Sequence, residues 1–400
     1  VRVERFTAGP DHRATVEAIR ALTPGAASVT GLVGEIVASV RDGGDAALAK
    51  YVERFDRPPA EPAPLPQDVR AGLEVAIANV RAVARAQVGS GTSVTLPQGH
   101  TVEIRELPVR RAAIYVPGGR NPYPSTVVMG VVTAQEAGVE EIVVCAPGMH
   151  PVIRGACELL GVTETYAMGG AHAIAALAHG TETIERVDVI AGPGGLWVQE
   201  AKRQVSGAVG IDGFLGPSDV VVCADGSVDR QLVLADLRAQ AEHGEGTIVV
   251  LVSDDLALLD ELHAELGVFE TEAVAATVLA HDAADAIALS EAFAPEHLEL
   301  VGPSMEALVD DIRCAGCTFL GTAGGTAFGD YVAGSNHSLP TGGGARFGSA
   351  LGPRTFRRRM SVVRIGDAAD ALAGPGAAIA TAEGFTEHAR SMTLRQNGRP

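Results

Sequence analysis

Gln240 and His243 lie three residues apart in Gln240-Ala241-Glu242-His243-Gly244, at the end of an apolar-periodic run, Leu232-Val233-Leu234-Ala235-Asp236-Leu237. On a helix that spacing puts both side chains on one face. An imidazole nitrogen and an amide oxygen so placed can reach a single cation, and zinc takes such nitrogen and oxygen donors. Four further polar clusters suit the same chemistry: Pro295-Glu296-His297, Gly329-Asp330-Tyr331, Ser335-Asn336-His337 and Glu387-His388. At Glu296-His297 an imidazole able to take a hydroxyl proton near neutral pH adjoins a carboxylate able to activate water. The plain alternative there is an exposed Glu beside a His at a strand start. Asp330, Asn336 and His337 stand among Gly324, Gly325, Gly329, Gly334, Gly342, Gly343 and Gly344. A segment so rich in glycine reads as a long ordered loop rather than a packed helix, with Phe328 and Tyr331 as anchors. His388, taken alone, reads as a surface histidine.

The elements that must position these groups follow a βαβ pattern. Strand Ala112-Ala113-Ile114-Tyr115-Val116 runs into Pro117-Gly118-Gly119-Arg120; a helix from about Thr126 to Ala137 and strand 141–145 follow. This predicts a parallel sheet with its ligand site beyond the strand C-termini. Helix 171–178, strand 187–191, helix 195–206 and strand 219–223 continue the alternation. A second set runs through helix 229–242, strand 247–252, strand 275–279, helix 283–293 and strand 316–320. Before these, a helix around 33–51 with a glycine break and another over 69–87 flank a proline-rich connector, and Val102–Leu107 alternates like a strand. Beyond about 350 the pattern predicts a short, partly helical tail carrying Arg357-Arg358-Arg359. The loops Tyr115–Arg120 and Gly192-Pro193-Gly194-Gly195 allow close backbone approach to a ligand before a helix start. Neither is a G-x-G-x-x-G fingerprint or a P-loop, and each reads equally as a plain turn.

Composition narrows the function classes. The 400 residues exceed one typical core, so two or more domains are expected. Aromatics make up only 4 % against 46 % apolar residues, which points to an Ala/Val/Leu core of the α/β kind. A net charge of −18 argues against nucleic acid or an anionic membrane as partner. No membrane span or signal peptide is read, so a cytoplasmic enzyme is expected. The five cysteines read as reduced thiols, and Cys314-Ala315-Gly316-Cys317 as structural rather than redox or zinc-binding.

In order, the clusters resemble histidinol dehydrogenase from about residue 30 to 395. The matching stretches are Tyr115 to Ser125 (YVPGGRNPYPS), Gly192 to Val205 (GPGGLWVQEAKRQV), Gly216-Pro217-Ser218, Gln240 to Gly244, Ala294 to Leu298 (APEHL), Gly329 to Tyr331 with Ser335 to Thr341, and Glu383 to His388. The resemblance implies an α/β homodimer with two incomplete Rossmann-like parallel-sheet domains per chain and small N- and C-terminal segments. The expected divisions are 1–20, 21–114 with 224–350, 115–223, and a 351–400 tail that contributes to the partner's site. It implies oxidation of L-histidinol to L-histidine through L-histidinal, with NAD⁺ as oxidant and one Zn²⁺ per subunit holding the amino alcohol. By motif, Gln240, His243, Asp330 and His388 are implied as zinc ligands, His388 from across the dimer. Glu296 and His297 are the implied acid/base pair. Ser218, His337 and Glu383 join them and the zinc ligands in binding substrate. Tyr115, His172 and Gly195 fall at cofactor positions, but the family usually has Gln at His172 and Asn at Gly195. A Pro-Asp pair is usual at Glu245-Gly246. These departures leave open a diverged member acting on another small polar alcohol, or a metal-binding protein with weak catalysis.

Overall fold

The computed structural model describes residues 1–23, 29–118, 121–213 and 216–396. The chain opens with β1 (Arg2–Thr7), α1 (His12–Arg20), α2 (Thr30–Phe55) and α3 (Gln67–Gln87), followed by β2 (Thr92–Thr95) and β3 (Thr101–Pro108). Next come β4 (Arg111–Tyr115), α4 (Pro124–Ala137), β5 (Glu141–Cys145), α5 (Pro151–Leu159), β6 (Glu164–Tyr166), α6 (Gly170–His179), β7 (Val189–Ala191), α7 (Leu196–Val205) and β8 (Gly210–Ile211). A second alternation follows: β9 (Asp219–Ala224), α8 (Arg230–Ala241), β10 (Ile248–Ser253), α9 (Leu256–Gly267), β11 (Val274–Leu279), α10 (Ala283–Phe293), β12 (His297–Val301), α11 (Pro303–Glu306), β13 (Cys317–Leu320) and α12 (Thr326–Tyr331). The last elements are β14 (Arg357–Arg364), α13 (Ala369–Ala382) and α14 (Thr386–Thr393).

Two sheets are parallel throughout. The five-stranded one has the order β6-β5-β4-β7-β8, the six-stranded one β1-β11-β10-β9-β12-β13. Strands β4, β9 and β10 are buried at every position, as strands covered on both faces must be. Alternation then sorts side chains to opposite layers. Val220 and Val222 pack with Leu234, Leu237 and Leu258 on one face of the six-stranded sheet, whereas Val221 and Cys223 pack with Ile19, Ile287 and Phe293 on the other. α8 is held at its start by Asp229, whose side chain accepts the N–H of Gln231, and it buries Val233, Leu234, Leu237 and Gln240. The anticipated glycine break in α2 falls at Gly44, the residue with non-helical angles.

In each sheet the chain builds outward on one side and then returns to build on the other. The reversal lies between β4 and β7 in the five-stranded sheet and between β9 and β12 in the six-stranded sheet. These switch points are where crevices open in parallel sheets. Residues 1–23 supply an edge strand and a helix to the six-stranded sheet, with β1 pairing parallel to β11.

A second compact unit comprises residues 88–108 and 357–400. Its sheet is antiparallel, β14-β3-β2, and α13 packs on α14. The tail is therefore not merely partly helical: Arg357-Arg358-Arg359 opens a strand. Arg359 pairs with Glu106 at 2.8 Å and Arg364 with Glu103 at 2.9 Å. Bonds from Arg105 and Arg364 hold the Glu103 carboxyl down at about 2. All five cysteines are free thiols; burial pushes Cys157 and Cys223 up to about 12. No described helix is long and apolar enough to cross a membrane.

Candidate active site

The carboxylate–imidazole pair sits at the start of β12, where α10 hands over to the sheet. Ala294 adopts φ +49, a left-handed conformation that a non-glycine residue holds only when its surroundings impose it. It turns the chain so that Glu296 enters beside Asp219, at the start of β9. The two residues clasp each other: the Glu296 N–H donates to Asp219 Oδ1 at 2.7 Å, and the Asp219 N–H to Glu296 Oε2 at 3.0 Å. The Ser218 hydroxyl donates to the same Glu296 oxygen. Burial raises Glu296 to about 7, the Asp219 charge adding to the rise and the His297 charge opposing it.

This pair lies at the N-terminal ends of the strands of the six-stranded sheet; a site beyond strand C-termini was expected of the β4–α4–β5 unit in the other sheet. The polar groups lie on the way into β9 and β12, on the opposite edge of this sheet's switch point.

His297 is buried between two carboxylates. Its Nδ1 lies 3.6 Å from Glu296 Oε2 and its Nε2 3.5 Å from Asp330 Oδ1. Burial would lower it, yet the charge of Glu296 and the approach of Asp330 outweigh burial and raise it to about 9. Asp330 is pushed up by burial but pulled below its ordinary value by His297, with smaller contributions from His337 and His243. The ring of His337 is fixed at both ends: Nδ1–H donates to the Asp330 carbonyl at 2.9 Å, and Nε2 accepts from Thr126 Oγ1 at 3.2 Å. Burial lowers it, which suits a neutral imidazole.

Asp330 lies in a short helix, α12, and not in an open loop; Gly329 belongs to it because any Cβ there would stand 2.4 Å from the Phe319 ring. Asn336 does not join the cluster. Its amide is spent on the Met129 carbonyl, Thr133 Oγ1 and the Ser338 N–H, tying the following loop to α4.

Gln240 lies in the last turn of α8 as expected, whereas His243 follows the cap residue Glu242, in the turn beyond the helix and not on its face. The His243 Nδ1 bonds the Gln240 carbonyl at 3.0 Å, which fixes the tautomer and leaves Nε2 with its lone pair. Gln240 is 1 % exposed, and its buried side-chain Nε2 has no hydrogen-bond partner. Rotating the amide by half a turn puts Oε1 in that position, as a cation would require. Among the described residues no three His, Cys, Asp or Glu side chains are grouped to hold a metal. In this unit the motif supplies only His243 and Asp330 of those types, together with the Gln240 amide. The orphaned amide, the free imidazole nitrogen and the carboxylate fit a nitrogen- and oxygen-ligated cation. His388 and Glu383 belong to the second unit, exposed at and before α14, where the His388 ring packs on Phe385 at 5.2 Å.

The cofactor candidates line a separate cleft of about 790 Å³ at the switch point of the five-stranded sheet. Tyr115 closes its floor at the end of β4; its hydroxyl accepts the Gly170 N–H at 3.1 Å, and burial raises the phenol. Gly192 must be glycine: φ is +125, and a Cβ would stand 2.0 Å from the Tyr115 carbonyl oxygen. Gly195 opens α7 with no side-chain cap, and a Cβ there would meet nothing within 4 Å. His172 lines the cleft, but its Nε2 is engaged by Asp56 at 2.8 Å, and its ring stacks near Tyr51 and Phe55 at 6.0 and 6.2 Å. Gly119 and Arg120 of the first glycine loop lie outside the described residues. Sequence reasoning missed Asp219, Thr126 and Asp56. A buried Asp opening an otherwise apolar strand was the available signal for the first.

A buried carboxylate–imidazole pair on one parallel sheet and a ligand-sized cleft at the switch point of another are the features of an α/β enzyme. Residues 23–396 match the histidinol dehydrogenase family. The chain is 42 % identical over 399 residues to histidinol dehydrogenase of Leifsonia xyli subsp. xyli, covering 90 % of this chain and 91 % of that protein. It is 39 % identical over 392 residues to that of Thermus thermophilus, covering 92 % and 95 %. The crystal structure of histidinol dehydrogenase from Elizabethkingia anophelis matches with a TM-score of 0.85 at 28 % identity, covering 98 % and 97 %. The chain belongs to the histidinol dehydrogenase family of NAD-dependent oxidoreductases.

Proposed function

We propose that the chain oxidises L-histidinol to L-histidine through L-histidinal, with Glu296 and His297 as its acid/base pair. The observation that carries this is the run Ser218–Glu296–His297–Asp330, with Glu296 and His297 buried at its centre, in which each group contacts or faces the next. Gln240, His243 and Asp330 would hold zinc, with His388 of the partner subunit as fourth ligand on motif alone; Ser218, His337 and Glu383 would face the substrate. When bound, zinc orients the amino alcohol as a redox-inert Lewis acid, and NAD⁺ accepts a hydride in each oxidation. In its neutral form His297 takes the hydroxyl proton of the alcohol, and the flanking carboxylates that raise it to about 9 stabilise the imidazolium that results. Glu296 then takes a proton from the water that adds to the aldehyde. Ser218 and the Asp219 N–H keep its carboxylate aimed. A cytoplasmic homodimer completes this reading.

The test is the NADH yield per L-histidinol with purified protein, Zn²⁺ and excess NAD⁺. About two NADH per alcohol, with histidine as product, is expected for two hydride transfers. No turnover of L-histidinol alongside turnover of another small polar alcohol would overturn the substrate assignment.

Tyr115, His172 and Gly195 would line the NAD⁺ site. Because the position of Gly195 is open and its φ of −66 is ordinary, Gly195→Asn should fit without strain. It adds a helix cap and a donor facing the cleft. Binding of NAD⁺ should tighten about fivefold, the weight of roughly one hydrogen bond of ~1 kcal/mol. Trp197, the single tryptophan, lines the cleft, so its fluorescence reports the titration directly. An unchanged affinity would remove Gly195 from the cofactor site.

A further inference from the structure

Gln240 is carried by α8, with His243 just past its cap, and Asp330 by α12, and the reaction chemistry does not explain what sets the spacing of these two helices. Glu299 of β12 lies two residues beyond His297 and so points to the same side of the sheet. It is 1 % exposed. Its Oε1 accepts the N–H of Thr326, the first residue of α12, at 2.8 Å. Its Oε2 has no hydrogen-bond donor among the described residues. The carboxyl of Asp236, on α8 one turn before Gln240, interacts with that of Glu299. Asp236 also abuts the entry to α12: a Cβ on Gly325 would stand 2.6 Å from its Oδ1. A buried carboxyl beside a half-buried one does not ionise together with it, and one proton between them turns repulsion into a hydrogen bond. Burial, then the neighbouring Asp236 charge, raises Glu299 to about 8, and burial raises Asp236.

We propose that Glu299 and Asp236 share one proton, and that this bridge straps α8 to α12 and thereby sets the donor geometry of Gln240, His243 and Asp330. Both act as positioning residues, since neither is a candidate ligand or acid/base group. The proposal rests on the reading that those three side chains hold the metal.

The test titrates metal-free full-length protein with Co²⁺ and follows its visible absorption band, with NAD⁺ titration of Trp197 fluorescence as a check on folding in the other sheet. Glu299→Leu removes both bonds and should weaken Co²⁺ binding by about tenfold or more while shifting the band, as loss of a supporting partner does. Glu299→Gln keeps an acceptor for Thr326 and offers an N–H to Asp236, so it should bind as the wild type does. Asp236→Ala leaves the Thr326 bond in place and should weaken binding similarly, and Asp236→Asn should restore it. If Glu299→Leu loses the Trp197 response, the Asp236 pair of variants decides. A Co²⁺ band lost in His243→Ala but intact in Glu299→Leu and Asp236→Ala overturns the strap alone. A wild type that takes up no Co²⁺, or keeps its band in His243→Ala, overturns the metal reading and the strap with it.

Discussion

Replacing Glu296 by Gln should stall the second oxidation, so that NADH yield per alcohol falls from about two towards one and the aldehyde accumulates. The amide keeps the shape of the acid and can still accept from Ser218 and the Asp219 N–H, so the local fold survives. What it cannot do is take a proton from water, and a positioned base is worth about 10²–10⁴-fold in rate. The pH dependence should separate the two proteins further. With Glu296 raised to about 7, the wild-type aldehyde step gains rate as pH rises through about 7 and the carboxylate forms. The residual rate of Glu296→Gln should lack that limb. Stability moves the other way. A carboxyl whose folded value lies above its ordinary value of 4.5 binds its proton more tightly when folded. The wild type therefore loses stability from Glu296 as pH rises from that value towards 7, and the penalty persists above it. The neutral amide carries no such penalty, so at pH 8 its denaturation midpoint should be no lower than that of the wild type. Aldehyde trapping with a hydrazine, alongside NADH counting, measures the first part. Unimpaired oxidation of both alcohol and aldehyde would remove Glu296 from the mechanism.

The parts of this site legible in the sequence were those encoded by local period or adjacency. Gln240 lies in the last turn of α8 as the apolar period indicates, His243 is kept beside it by the turn after the cap, where its N–H and Nδ1 both bond the Gln240 carbonyl, and Glu296-His297 is a neighbour pair in any conformation. The two parallel layers were legible for the same reason: their strands are short apolar runs, covered on both faces, separated by amphipathic helices. What sequence order hid was set by partners distant in the chain. β14 reads as a tail because its mostly exposed positions carry no clear alternation, and it becomes a strand by pairing with β3, Arg357 opposite Pro108. β1 is a strand because β11 offers it an edge. Asp330 was expected in a loop because Gly324, Gly325 and Gly329 disfavour helix. That preference is overridden by the Thr326 N–H bond to Glu299 and by a packing site that only glycine fits beside Phe319. The reversed edge of the site, at strand starts, follows from which residues precede β9 and β12, and no periodicity reports that.

Replacing Lys202 by Met should cost the fold about 3–5 kcal/mol, the usual penalty for stranding one member of a buried ion pair. Lys202 lies within α7 and is 1 % exposed. Its Nζ donates to the Gly192 carbonyl at 3.0 Å and to Asp212, while Asp212 accepts the Gly192 N–H at 2.7 Å. The ammonium and carboxylate thus hold both backbone groups of the one residue that must pass against the Tyr115 carbonyl. Methionine fills nearly the same volume, so the loss isolates charge and hydrogen bonding from packing. It leaves the Asp212 carboxylate buried without its counter-charge, and the Gly192 carbonyl without its donor. If the uncompensated charge is the larger part, Lys202→Met/Asp212→Asn should recover much of the stability, because the amide oxygen can still accept the Gly192 N–H. Nucleotide binding should not recover equally. The Gly192–Gly195 loop would lack its upper tether, so the Trp197 titration should stay weakened in the double variant. A single variant as stable as the wild type in chemical denaturation would show that the ion pair is not what holds this loop. Equal recovery of stability and NAD⁺ affinity in the double variant would show that Lys202 serves the fold alone and not the cleft.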